Sequence, residues 1–213
     1  MSSQNPAHLG VIARFKSSAH LRRSLFRLAI LSGFVAFLWI VQVYNWLTGY
    51  GLNTALGLIP RHVRGLDGIF AMPLLHASFP HLISNTPPLI AIGAMLAITT
   101  RRSLLLINGV IVILGGALVW LMGSTAIHVG ASGLIFGWLG FLIARGLLDK
   151  SIVPLLAAAV IGFFYGSILW GVIPGQVGVS WESHLYGVIC GIVAAMVVRK
   201  PLKQSAPAEQ SRS

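Results

Sequence analysis

Charge is scarce in this chain, and acidic charge most of all: 4 Asp and Glu stand against 15 Lys and Arg in 213 residues, and charged residues total 9%. Soluble domains carry about 25% charged residues, so an ordinary water-facing surface is excluded. Cysteine is nearly absent as well. The single Cys190 excludes an internal disulfide framework and any paired-cysteine zinc spacing, and reads as a buried packing residue. Internal repeats are missing. What is present instead is apolar: 56% of residues are hydrophobic and mean hydropathy is +0.85.

The apolar stretches run almost without interruption from Phe26 to Val198, which predicts one membrane-embedded domain. Six spans are predicted, at 27–47, 79–99, 103–122, 131–145, 151–170 and 183–198. The fold class is therefore an all-α membrane protein, a six-transmembrane-helix bundle over residues 25–199 with tails at 1–24 and 200–213. None of the spans contains Asp or Glu, and no inverted repeat is visible, which argues against a proton-coupled transporter.

The net charge of +11 suggests nucleic acid until the positions are read. Arg14, Lys16, Arg22, Arg23 and Arg27 precede the first span, and Arg101 and Arg102 divide the second from the third. Arg145 and Lys150 follow the fourth, and Arg199, Lys200, Lys203 and Arg212 follow the sixth, which leaves only Arg61 and Arg64 on the other side. Basic residues confined to one side of alternate spans place both termini in the cytoplasm. A nucleic-acid surface would not alternate with helix ends, so no nucleic-acid partner is expected. The first span follows basic residues and has no small-residue cleavage site after it, so it reads as a retained anchor. Residues 48–78 form a long outer connection, amphipathic around Ile59 to Arg64, of the kind that lies on a membrane surface or carries function.

Polar groups inside such spans are costly and mark function. Ser132 lies roughly 20 Å of helix above Arg145, His184 roughly 22 Å above Arg199 and Asn85 roughly 24 Å above Arg101. In a hydrocarbon core about 30 Å thick these three share one depth, below the outer surface. The fourth span is too short to cross from Ser132, so residues 123–130 are expected to dip into the membrane around a wet pocket. Gly133, Gly137 and Gly140 share one face of the fourth span, and His184, Gly187 and Gly191 one face of the sixth. Small residues at that spacing let helices approach closely, which would bring the His184 imidazole to Ser132 as a general base to a nucleophile. His81 and Asn85, four residues apart on the second span, are suitable oxyanion donors, and the Ser132 backbone N–H at a helix start adds a third. Pro87 and Pro88 are expected to kink that helix.

Plainer readings compete. The Ser132 glycines alone describe a tight helix contact, and His81 with Asn85 describe a helix bridge. His76 and His128 read as loop residues near the rim. Glu182 with His76 and His81 invites a metal site, but no H-E-x-x-H is present and a spacing of five takes the two histidines off one helical face. No metal or cofactor is expected.

Gly130-Ala131-Ser132-Gly133 resembles the GxSG motif of the rhomboid family. His81 to Asn85 is similar to its HxxxN motif, and His184 to Gly191 to its last-helix HxxGxxxG, in matching order over residues 25–198. The resemblance implies a six-helix rhomboid-like bundle and an intramembrane serine endopeptidase with a Ser132–His184 dyad and no third acid. It implies an oxyanion hole of His81, Asn85 and the Ser132 N–H, with Gly130, Gly133, Phe136, Gly187 and Gly191 packing the site. The fifth span, around Phe163, Phe164 and Trp170, would be the gate, and residues 171–183 the cap. Phe136 stands where many members carry tyrosine, which keeps the stacking surface and loses a hydroxyl. The Trp-Arg dipeptide of some members' first loop is absent. Single-span membrane proteins would be the substrates, cut near the outer end of the span. The alternative is a rhomboid-like pseudoprotease that binds transmembrane partners in the bilayer without cutting.

Overall fold

The computed structural model describes residues 6–100, 102–152, 155–156, 159, 172–175 and 178–198, with side chains from Ser18 onward. Among them the structure is helical, with a single isolated bridge between Leu58 and His128. The fifth span at 151–170, with Phe163, Phe164 and Trp170, lies almost wholly outside the described residues, as do Arg101, Arg199 and both chain ends.

Helix α1 is Pro6–Leu47, and its apolar part is Ser18–Leu47. The sequence-based start at residue 27 is thus late. Arg22, Arg23 and Arg27 are good helix formers, so the basic segment continues the helix rather than ending it. Its lipid-facing side exposes Phe26, Ile30, Phe37 and Ile40, as a helix solvated by acyl chains rather than water does.

Helices α4 (Phe79–Thr99) and α5 (Leu104–Met122) are also long and apolar enough to cross a membrane. Both open on a serine cap: Ser78 accepts from the His81 N–H at 3.2 Å and Ser103 from the Leu106 N–H at 3.3 Å. The α4 helix runs unbroken through Pro87 and Pro88. Each proline removes one ladder bond, leaving the carbonyls of Ile83 and Ser84 without their helical donors. Separately, Ser84 and Thr86 turn their hydroxyls back onto the helix, donating to the carbonyls of His81 and Leu82, both at 2.8 Å.

Helix α6 (Ser132–Leu148) runs three residues past the predicted end at Arg145, which pairs with Asp149 one turn on. The last described helix, α7 (Trp181–Val197), is capped by Ser180. Helix α6 packs chiefly on α7, α5 also leans on α7, and α1 leans on α4. The core between them holds Leu89, Ile92, Ile107, Ile135, Phe141 and Leu142, each at most 2% exposed.

The long connection at 48–78 is folded rather than loose. It contains α2 (Gly51–Leu56), α3 (Gly68–Ala71) and 3-10 turns at Val63–Gly65 and Met72–Leu74. Arg61, at φ 57, donates from its backbone to Trp120 O at 2.8 Å and from its guanidinium to Gly123 O at 2.8 Å. A cation on the orphan carbonyls at the end of α5 satisfies groups that lipid cannot. Arg61 is therefore a structural hook.

Candidate active site

Glycine geometry brings the two key helices together at the backbone. A Cβ at Gly187 would run into the Gly133 carbonyl oxygen, and one at Gly191 into that of Gly137. From the other side, a Cβ at Gly133 would lie 3.2 Å from Ser183 O, and one at Gly140 3.0 Å from the Val188 Cα. Only helices without side chains at these points approach so closely. Gly137 departs from the sequence expectation: its missing side chain faces Ile111 of α5, because α6 is packed on two sides.

This contact places Ser132, at the first turn of α6, and His184, in the first turn of α7, on the wall of one cavity of about 600 Å³. The same cavity is lined by His81, Asn85 and Phe136. His184 is 9% exposed and lies flat on Phe136, ring centroids 4.3 Å apart and planes 16° from parallel. That stacking restricts the imidazole to one plane, as expected of the aromatic at this position.

Gly130 joins the serine to the second helix. Its φ of 131 suits glycine alone, and a Cβ there would meet His81 Nε2 at 3.0 Å and Ser132 Oγ at 3.6 Å. The hole left by the missing side chain thus sits between the imidazole edge and the hydroxyl. His81 Nδ1 accepts from the Ala77 N–H at 3.4 Å, which assigns the ring proton to Nε2, the nitrogen beside Gly130. Asn85 is 7% exposed, and its amide nitrogen is buried with no hydrogen-bond acceptor. A buried donor left unmade costs free energy, so it is a group waiting for an acceptor.

Polar residues outside the predicted catalytic set hold these groups in place. His76 is fully buried rather than near the rim; its Nε2 accepts from the Ala131 N–H at 3.4 Å, one residue before Ser132. It also meets His81 edge to face at 5.1 Å. The five-residue spacing that argued against such a meeting assumed one helix. His76 lies outside α4, on the chain that follows the extended Leu75, so helical spacing does not apply. Burial, with His81 opposite, pushes the His76 imidazole down to about 3. Its carbonyl accepts from Asn53, whose side-chain oxygen accepts from Asn45 at 2.9 Å. Asn45 is a polar residue within a span, and that alone was a signal available in the sequence.

His128 is likewise buried, at 3% exposure. Its Nε2 donates to Ser124 O at 3.0 Å, so Nδ1 accepts from Ser180 Oγ at 2.6 Å. The Glu182 carboxylate accepts from the Ser124 N–H at 3.0 Å. Two ties therefore fasten the 123–131 loop to the start of α7, fixing the approach to Ser132 relative to His184. Glu182 is committed to backbone, and among the described residues no group of three His, Cys, Asp or Glu is placed to hold a metal.

Comparison with known families matches residues 64–201 to the Rhomboid domain. An uncharacterized protein of Mycobacterium tuberculosis is 39% identical over 181 residues, covering 81% of this chain and 75% of its own length. An uncharacterized protein of Mycobacterium leprae is 35% identical over 208 residues, covering 93% and 81%. A Bacillus subtilis protein provisionally named a rhomboid protease, YdcA, is 29% identical over 167 residues, covering 71% and 73%. With a family match over most of its length and an all-helical, apolar fold, the chain belongs to the rhomboid family of membrane proteins, whose members are in general intramembrane serine proteases.

Proposed function

We propose that this chain is an intramembrane serine endopeptidase in which Ser132 is the nucleophile and His184 its general base. The observation that supports this reading is the cavity lined both by Ser132 at the head of α6 and by the His184 imidazole, which is held flat on Phe136. A serine hydroxyl is a weak nucleophile until an adjacent base takes its proton. Ser132 Oγ attacks the scissile carbonyl carbon while its proton passes to the His184 imidazole. The charge that develops on the carbonyl oxygen is met by the Asn85 amide, the His81 Nε2–H and the Ser132 N–H. Collapse of the tetrahedral intermediate breaks the C–N bond, and His184 returns the proton to the leaving amine. Water, deprotonated by the same imidazole, then hydrolyses the acyl-enzyme and frees the acid.

The substrate is a single-span membrane protein whose helix unwinds near its outer end, since an intact helix hides its carbonyls in its own hydrogen bonds. The bundle of residues 25–199 lies in the cell membrane with both tails, 1–24 and 200–213, in the cytoplasm; the distribution of Lys and Arg supports this orientation. Cleavage of a model transmembrane substrate by purified protein tests the assignment, with Ser132→Ala and His184→Ala each expected to abolish it. Covalent labelling by a fluorophosphonate is expected in the wild type and not in Ser132→Ala. Turnover retained by Ser132→Ala would overturn the mechanism. A folded wild type that binds transmembrane partners but neither cuts nor labels would make the chain a pseudoprotease.

A further inference from the structure

A second cavity, of about 290 Å³, shares no lining residue with the Ser132 site, although α4 and α6 border both. Its walls are Leu31 and Phe34 of α1 and Leu104 and Val112 of α5. It exists because α1 leans on α4 while α5 leans on α7, so the two walls stand apart. Gly93 of α4 and Trp138 of α6 form the floor, and a Cβ at Gly93 would lie 2.8 Å from Leu31 and 3.0 Å from Trp138. The absent side chain keeps the slot deep. At one end Phe70 and Leu74 of the 48–78 connection close it over; at the other stands Arg27.

Two features select the occupant. The slot is apolar and runs along membrane helices, with the Leu104 to Val112 wall alone rising roughly 12 Å, the shape of an extended hydrocarbon chain rather than of a water-soluble ligand. Its basic end carries uncompensated charge. Arg27 donates to the carbonyls of Thr100 and Arg102, the latter at 2.9 Å, which orients the guanidinium and leaves further N–H groups free. Arg23 stands one turn before it, and among the described residues the only ion pair, Arg145–Asp149, is elsewhere. Asn108, one turn into α5, accepts from the Trp138 indole at 2.7 Å and presents its amide within the lining.

We propose that this slot binds one anionic phospholipid, an acyl chain lying between α1 and α5 with its phosphate on Arg27 and Arg23 and a glycerol ester at Asn108. An arginine fork matches a phosphate bidentately, and basic groups at a membrane surface favour anionic lipid. Such a lipid would fill a gap that otherwise leaves α1 supported on one side only.

The test is native mass spectrometry on delipidated full-length protein in neutral detergent, titrated with phosphatidylglycerol or with phosphatidylcholine of the same chains. Wild type is expected to retain one phosphatidylglycerol about 10-fold or more tightly than phosphatidylcholine, the preference two arginines supply at an interface. Val112→Phe fills the slot with both arginines intact and is expected to lose the retained lipid. Arg27→Gln is expected to bring phosphatidylglycerol down to the phosphatidylcholine level, and Arg23→Gln to lower it part of the way, which keeps the headgroup arm readable if Arg27→Gln does not fold. Equal retention of the two lipids by wild type would overturn the proposal, as would Val112→Phe binding phosphatidylglycerol like wild type, since the arginines would then act as an open surface patch. The readout involves no proteolysis and stands apart from the proposed activity.

Discussion

Substituting Gly187 by alanine tests how finely the α6–α7 contact sets the site. The added methyl would sit well inside 3.0 Å of the Gly133 carbonyl oxygen, 3.1 Å from its carbonyl carbon and 3.3 Å from Gly137 N. All three are backbone atoms, so no rotamer change relieves the overlap and the helices must separate. Relief takes about 1 Å at a point one turn from His184 and next to Ser132, and a misplacement of that size costs about 100-fold in rate when reacting groups must meet. Overpacking of this kind destabilises by about 1–3 kcal/mol, so most of the protein remains folded. Gly109→Ala on α5 is the control, since nothing lies within 4 Å of a Cβ there and alanine is the better helix former by up to about 1 kcal/mol. Purified variants would be assayed for turnover of a transmembrane substrate and for thermal unfolding. Wild-type turnover in folded Gly187→Ala would refute the claim that close backbone approach aligns the pair.

Asn85→Ala is expected to lower kcat on the order of 100- to 1000-fold with little change in KM, because its amide stabilises charge that appears only in the transition state. An unchanged kcat would remove it from the oxyanion site. Activity is expected to survive chelators, the nucleophile being a side chain; loss on EDTA treatment that zinc restores would contradict this. His76 contributes stability that is complete above its ordinary pKa of 6.5 and drains away as pH falls toward its folded value of about 3. The melting temperature should therefore drop through that window in wild type and drop less in His76→Gln, and parallel curves would reject the assignment.

Composition and hydropathy were enough to read an all-helical membrane protein. The second span at 79–99 coincides with α4, and the third at 103–122 with α5 to within a residue. Long apolar runs are unambiguous because lipid leaves the backbone no option but helix. Boundaries at charged ends were less legible: α1 starts far before residue 27 and α6 continues past Arg145, since arginine ends an apolar run without ending a helix.

Of the site, the sequence alone marked Ser132, His184, His81 and Asn85, because polar groups at membrane depth are conspicuous by their cost and helical periodicity assigns them to faces. Glycine spacing likewise announced which helices would touch. Tertiary structure decided what those faces meet. Gly137 faces Ile111, and Arg61 ties down the end of α5. His76 and His128 are buried supports of the Ser132 loop rather than rim residues. Spacing rules hold only within one element. Contacts between a loop and a helix, such as His76 with Ala131 or Glu182 with Ser124, depend on how the chain returns in space, and no local period encodes that.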